Sequence, residues 1–328
     1  MIQAASDPGE ATGSAASASR MHRRAAQELG PEMGRVGAED PSRLRSVRAS
    51  ILHTPAAMRN ASRQWRREGK SIGLVPTMGA LHAGHMSLVD AARRENGVVV
   101  VSVFVNPLQF GPGEDLDRYP RDWERDRRLL EEAEVDAVYR PSVETMYPPE
   151  ATTRVRVGGV TDGLEGAARP GHFEGVATVV TKLFTAVEPD RAYFGQKDAQ
   201  QVAVVKRLVE DLDLGVDVRV MTTVREQDGL ALSSRNAYLS PQERKASAAL
   251  SGGLREAASA YMAGERDLVK IQARLAERLA AEPLIELEYA ELVDPATFRK
   301  PGTLAVVAAR VGKTRLIDNH DLTKPFPG

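Results

Sequence analysis

The segment Pro76-Thr77-Met78-Gly79-Ala80-Leu81-His82-Ala83-Gly84-His85 brings two imidazoles into a stretch that also holds two glycines. It follows a short apolar run, residues 72–75, and leads into a helical pattern over residues 86–94. At the start of a helix, free backbone N–H groups and the positive dipole end favour phosphate. Glycine lets the backbone approach a ligand closely. His82 and His85, three apart, share one face of the first turn. There they can donate hydrogen bonds to phosphate oxygens as negative charge builds in a transition state. A structural pair or a zinc half-site is the plainer reading of His-x-x-His. The usual zinc pattern on one helix spaces its histidines four apart with a glutamate beside the first, and this segment has neither feature.

Further clusters suit such a site. Phe104-Val105-Asn106-Pro107-Leu108-Gln109-Phe110 closes a β-branched run, so Asn106 and Gln109 emerge at a strand's carboxyl edge. Their amides can bind hydroxyl or carboxylate groups, or simply form a polar strand exit closed by Pro107. Asp122 and Asp126 lie on the next helical pattern, as ligands or as a solvated face. Arg169-Pro170-Gly171-His172-Phe173-Glu174-Gly175-Val176 is a turn running into a helix, with His172 either near a cleft or acting as a cap. In Phe194-Gly195-Gln196-Lys197-Asp198-Ala199-Gln200-Gln201, Gly195 permits close backbone approach and Lys197 is a compact charge suited to phosphate. Asp198 is a ribose partner or a helix N-cap, and Gln201, one turn in, can reach a carboxylate. Asp228-Gly229-Leu230-Ala231-Leu232-Ser233-Ser234-Arg235-Asn236 offers two hydroxyls and a guanidinium to terminal phosphates, or is a solvated loop.

These groups need a scaffold, and the sequence alternates strand and helix from about residue 49. Strands are expected at 72–75, 98–105, 135–139, 192–194 and 216–220, with helices at 86–94, 122–134, 176–187 and 199–211. The almost continuous β-branched run 98–105 is that of a central parallel strand covered on both faces. The alternation predicts a doubly wound α/β domain, in which ligands bind at the strands' carboxyl ends. After about Thr223 the texture changes to two Ala-rich helices, 241–263 and 266–281, and two strands, 285–293 and 303–309, expected to be antiparallel and edge-exposed. The expected organisation is an extension over 1–48, an α/β domain over 49–223 and a smaller α+β lid domain over 224–328. The junction is where closure over a substrate would occur.

The chain has 328 residues and a net charge of −1, which gives little global steering toward nucleic acid or anionic lipid. It has no cysteine, which excludes disulfides, thiolate nucleophiles and Cys-based zinc sites. No apolar run is long enough to span a bilayer as a helix, and a cytoplasmic location is expected. Residues 1–48 hold few large apolar side chains and read as a disordered extension. Asp7, Glu10, Glu28 and Glu32 argue against a transit peptide, and Met21 and Met33 are alternative starts. Deleting 1–48 is expected to leave activity intact.

His82-Ala83-Gly84-His85 resembles the HxGH signature of the nucleotidylyltransferase and class I aminoacyl-tRNA synthetase superfamily. The longer string 76–85, followed by Leu88 and Val89, resembles the pantothenate synthetase family. The 104–110, 115–121, 169–176, 194–201 and 228–236 segments resemble that family's motifs in its own order, and Thr314-Arg315-Leu316-Ile317-Asp318-Asn319 is given a structural role. The resemblance covers about residues 49–320 and implies a Rossmann-like HxGH domain. It implies ATP contacts from Pro76, Thr77, Met78, Gly79, His82, Gly84 and His85, from Gly195, Lys197 and Asp198, and from Val224, Leu232, Ser233, Ser234 and Arg235. Gln109, Gln201, Asn106 and His172 would hold pantoate. Asp126 would help hold Mg²⁺, with Arg125 standing where some relatives have a second aspartate. The implied reaction has two halves: pantoate carboxylate displaces pyrophosphate from ATP, then the β-alanine amine displaces AMP. His82, His85, Lys197 and Arg235 would stabilise the phosphoryl charge. The resemblance also implies a homodimer. The rivals are another HxGH adenylyl- or cytidylyltransferase, which would leave β-alanine unused, and a nucleotide-binding sensor without turnover.

Overall fold

The computed structural model describes residues 49–327, so the expected extension over 1–48 lies outside the described residues. The first half runs β1 (Ser50–Leu52), α1 (Pro55–Arg67), β2 (Ile72–Thr77), α2 (Ala83–Glu95), β3 (Val98–Val103), α3 (Trp123–Glu132) and β4 (Ala137–Tyr139). It continues through α4 (Val143–Met146), α5 (Glu165–Ala168), α6 (His172–Val187), β5 (Arg191–Gly195), α7 (Ala199–Asp211) and β6 (Asp217–Met221). The six strands form one parallel sheet in the order β1-β4-β3-β2-β5-β6. The valine run of β3 shows why the sheet is central: Val98 and Val100 enter one core, Val99 and Val101 the other. Helices α1, α6 and α7 feed the first core, and α2 and α3 the second. The strand order reverses between β2 and β5, which places a crevice at their carboxyl ends.

The second half contains α8 (Pro241–Met262), α9 (Leu268–Ala280), β7 (Ile285–Val293), β8 (Leu304–Val311) and β9 (Thr314–Asp321). Its strands form an antiparallel sheet, β7-β8-β9, and the two helices pack on it around Leu250, Leu254, Ile271 and Leu279. β8 is therefore central rather than an edge: the expected pair lacked β9, whose mixed Thr-Arg-Asp-Asn composition hides its strand pattern. β1 and α1 were also absent from the expected set, since three residues make a weak strand signal and α1 is mostly polar. Ala199 of α7 packs with Val293, Leu304 and Val306 and so joins the halves. Among the described residues no helix is long and apolar enough to cross a membrane.

Candidate active site

β2 ends at Thr77, whose hydroxyl donates to Ser102 O at 2.7 Å and accepts from Gly79 N at 3.2 Å. The chain then turns through Gly79 (φ +81) and Ala80 (φ +51), a left-handed pair in which glycine is the natural first member. His82 is the N-cap of α2, and its Nδ1 accepts the Gly84 N–H at 3.1 Å. In the neutral ring the proton therefore sits on Nε2. A Cβ on Gly84 would come within 2.9 Å of the His82 ring, so glycine there makes room for this cap. The His82 and His85 ring centroids lie 4.1 Å apart with the rings tilted by 36°, and His85 Nδ1 is buried with no hydrogen-bond partner among the described residues. Burial, aided by the charges of Lys197 and Arg125, holds His82 down to about 4. Burial, with His82 and Lys197 nearby, holds His85 down to about 3. Both imidazoles are neutral donors at pH 7.

The end of β3 delivers Asn106 and Gln109. Asn106 is buried, and its amide donates to Gln109 Oε1 (3.0 Å) and Gly175 O (3.1 Å) while accepting from Tyr147 OH (2.8 Å). Its polar atoms are thus engaged inside the protein, and its job is to hold Gln109. His172 behaves similarly. Its Nδ1–H donates to Gln109 O at 2.8 Å, and its Nε2 accepts from Arg169 at 3.1 Å. Burial and the Arg169 charge keep its pKa near 4. The ring orients the Gln109 backbone and lines the cavity with both nitrogens already engaged, so its expected part in holding pantoate runs through Gln109 rather than through a hydrogen bond of its own.

At the end of β5, Lys197 Nζ lies 3.9 Å from Asp198 Oδ1, its one ion pair among the described residues. Asn319 of β9 donates to Gln196 O (2.9 Å) and Lys197 O (2.8 Å), so the C-terminal strand pins this turn. Asp198 stands at the N-cap of α7 without making a capping hydrogen bond, and its carboxylate is half-exposed. A Cβ on Gly195 would meet no atom within 4 Å, so the space beside it belongs to the cavity. Val224 and Leu232 pair through a backbone hydrogen bond of 2.9 Å and present Ser233, Ser234 and Arg235.

These elements enclose a cavity of ≈ 240 Å³. His82, His85, Lys197 and Arg235 all line it, as do Gln109, Gln201 and nearly every other residue singled out from the sequence. Gly79 and Asp126 do not. Gly79 shapes the turn behind the wall. Asp126, 2% exposed, accepts the Ala80 N–H at 2.9 Å and the Leu81 N–H at 2.8 Å, while Arg125 donates to Leu81 O at 2.8 Å. Burial raises the Asp126 pKa, against the lowering effect of those two amides. Both carboxylate oxygens thus serve the loop, and the neighbouring side chain is cationic. Among the described residues no group of three or more His, Cys, Asp or Glu is arranged to hold a metal. The residues present do not fit a protein-held Mg²⁺, in contrast to the expectation for Asp126.

The sequence reading missed the apolar wall from α6. Val176, Val179, Val180 and Leu183 follow helical spacing and look like ordinary core, yet they line the cavity. It also missed Tyr147, whose partner lies far away in sequence, whereas Asn319, in the segment given a structural role, pins the turn that carries Lys197.

A parallel sheet with a glycine-histidine turn at its switch point, feeding a helix N-terminus, defines an HxGH-type nucleotide-binding α/β protein. The family model for pantoate–β-alanine ligase matches residues 50–321. A pantothenate synthetase of Rubrobacter xylanophilus is 54% identical over 84% of this chain and 99% of its own. The crystal structure of the Thermus thermophilus pantothenate synthetase shares 49% identity with a TM-score of 0.78, covering 83% of this chain and 99% of that one. A Francisella tularensis pantoate–β-alanine ligase, crystallised with β-γ ATP and β-alanine, is 32% identical with a TM-score of 0.70, covering 84% and 98%. The chain belongs to the pantoate–β-alanine ligase family, and its activity is the formation of pantothenate.

Proposed function

We propose that this site forms pantoyl-adenylate from ATP and pantoate and passes the acyl group to β-alanine, with the following division of labour. The pantoate carboxylate oxygen attacks the α-phosphorus and the bond to the β-phosphate breaks, releasing pyrophosphate. The barrier is the approach of two anions, and fixed positive and donor groups lower it. His82 Nε2–H and His85 serve as neutral donors, Lys197 as the ammonium, and Arg235 as the guanidinium for the terminal phosphates. Neutral imidazoles avoid strong ground-state attraction to ATP while still answering charge that builds during transfer. Gln109 and Gln201 orient pantoate, with Asn106 and His172 fixing Gln109. Asp198 faces the ribose. The β-alanine nitrogen, once deprotonated, attacks the acyl carbon, and the carbon–oxygen bond to AMP breaks.

The observation that carries this reading is the convergence of two imidazoles, one ammonium and one guanidinium on a single cavity that also holds two carboxamides, Gln109 and Gln201. Mg²⁺ enters as part of the ATP substrate, held by phosphates and water. The part from about residue 224 acts as a lid that keeps water from the anhydride. Two copies associate as the family resemblance implies, and the cysteine-free composition suits a reducing cytoplasm. The test incubates the purified chain with ATP, pantoate and β-alanine. Equal yields of AMP and pantothenate are expected. Nucleotide transfer that leaves β-alanine unconsumed would refute the ligase chemistry here, and sedimentation velocity checks the dimer.

A further inference from the structure

Asp115 heads the stretch Asp-Leu-Asp-Arg-Tyr-Pro-Arg, residues 115–121, and its side chain lies outside the machinery described above. It makes the one ion pair that Arg235 has among the described residues. Arg235 Nε donates to Asp115 Oδ2 at 2.9 Å and Nη2 to Oδ1 at 2.8 Å. The carboxylate side chain is 12% exposed, against 31% for the guanidinium. Burial pushes Asp115 up, but the hydrogen bonds and charge of Arg235 prevail and hold it below the usual carboxylate range. Arg235, like Lys197, Asp198 and Gln201, lines both the catalytic cavity and an adjoining one of ≈ 220 Å³, whereas Asp115 lines only the adjoining one. The carboxylate therefore grips the guanidinium from the side of the adjoining cavity.

The grip uses one edge of a planar fork, Nε and Nη2, and leaves Nη1 without a protein partner among the described residues. That free edge is the geometry a phosphate needs for paired donation. One neighbouring contact holds the same segments together, Tyr238 OH donating to Arg118 O at 3.1 Å, and within the turn Ser233 Oγ accepts the Arg235 backbone N–H at 3.3 Å. An unpaired arginine on this turn would surrender rotamer freedom when it engaged phosphate. A paired one has already surrendered much of it.

We propose that Asp115 is a positioning residue for the phosphate-transfer step: it clamps the Nε edge of Arg235 so that the opposite edge faces the ATP phosphates. This rests on Arg235 binding phosphate as set out above. Asp115 does not touch the substrate, and its negative charge is a cost to ATP binding that orientation must outweigh.

The test is pyrophosphate exchange with pantoate and ATP, in Asp115→Asn, Arg235→Ala, Arg235→Lys and the Asp115→Asn/Arg235→Ala double variant. Misaimed charge at a reacting group costs up to about a hundredfold. Asp115→Asn and Arg235→Lys are each expected to lose about ten- to a hundredfold, since either change breaks the paired geometry. In the Arg235→Ala background, Asp115→Asn is expected to change nothing more. Full exchange in Arg235→Lys, or an Asp115→Asn loss that persists undiminished without Arg235, overturns the positioning role; the first outcome needs no folded Asp115 variant. Full exchange in Arg235→Ala would instead sink the phosphate-binding role of Arg235 itself, and this inference with it.

Discussion

Asp126→Asn separates two jobs that one carboxylate can have. Asp126 accepts two backbone N–H groups from the turn that leads into His82, at 2.9 and 2.8 Å. Hydrogen bonds to a charged group contribute about 1.5–3 kcal/mol each. Asparagine keeps one acceptor and turns an NH₂ against the second amide, leaving one buried donor unmet. Removing the charge also removes a desolvation cost, which the raised pKa of Asp126 reveals. The net loss is expected to be about 2 kcal/mol, or a fall in Tm of about 4–8 °C for a unit of this size. Loosening the turn also misplaces His82, so pyrophosphate exchange is expected to drop up to about a hundredfold at saturating Mg²⁺. The assay pairs thermal denaturation with exchange measured across Mg²⁺ concentrations. An unchanged Tm, together with an exchange defect cured by more Mg²⁺, would refute the loop-brace account and make Asp126 a metal ligand.

His82→Ala and Lys197→Ala are each expected to lower pyrophosphate exchange about 10²–10³-fold with the fold intact, and near-normal exchange would remove their role. Gln109→Ala and Gln201→Ala are expected to raise the KM for pantoate about tenfold or more, with the KM for ATP little changed. His85 and His172 have folded pKa values near 3 and 4, below the unfolded value of about 6.5. The unfolded chain therefore binds more protons between those limits, and stability rises with pH through the window from about 4 to 6.5. Each histidine contributes up to about 1.4 kcal/mol per pH unit, so urea midpoints at pH 4.5–7 are expected to climb, and His172→Gln to flatten the slope. Arg315→Ala leaves Glu165, which it grips at 2.6 and 2.7 Å, a buried carboxylate with the Tyr289 hydroxyl as its remaining side-chain donor, and is expected to cost about 3–5 kcal/mol in denaturant melts. A loss under about 1 kcal/mol would show the pair to be dispensable.

The sequence alone carried the parallel α/β half, because β-branched runs and helical periodicity are local signals. It also carried the histidine turn, since glycine and imidazole at fixed spacing constrain the backbone within a few residues. Boundaries moved by only a few positions, for instance the end of β3 at Val103 and the start of α6 at His172. β9 was less legible, as its Thr314, Asp318 and Asn319 are buried against distant parts of the chain and blur the apolar alternation, while α1 carries a helical period on few large apolar residues.

Side-chain commitments belonged to the tertiary structure. Asn106, His172 and Asp126 are residue types that bind ligands, and nothing local says whether a hydrogen-bonding atom is free. Their partners lie far along the chain: Gly175 for Asn106, Gln109 for His172, and Ala80 and Leu81 for Asp126. Folding spends those polar atoms on holding the site and leaves Lys197, Gln201 and one edge of Arg235 to face the cavity. Residue type and spacing determine which chemistry is possible. Only the packed chain decides which groups are still unsatisfied, because a buried polar atom takes whatever partner the fold brings to it.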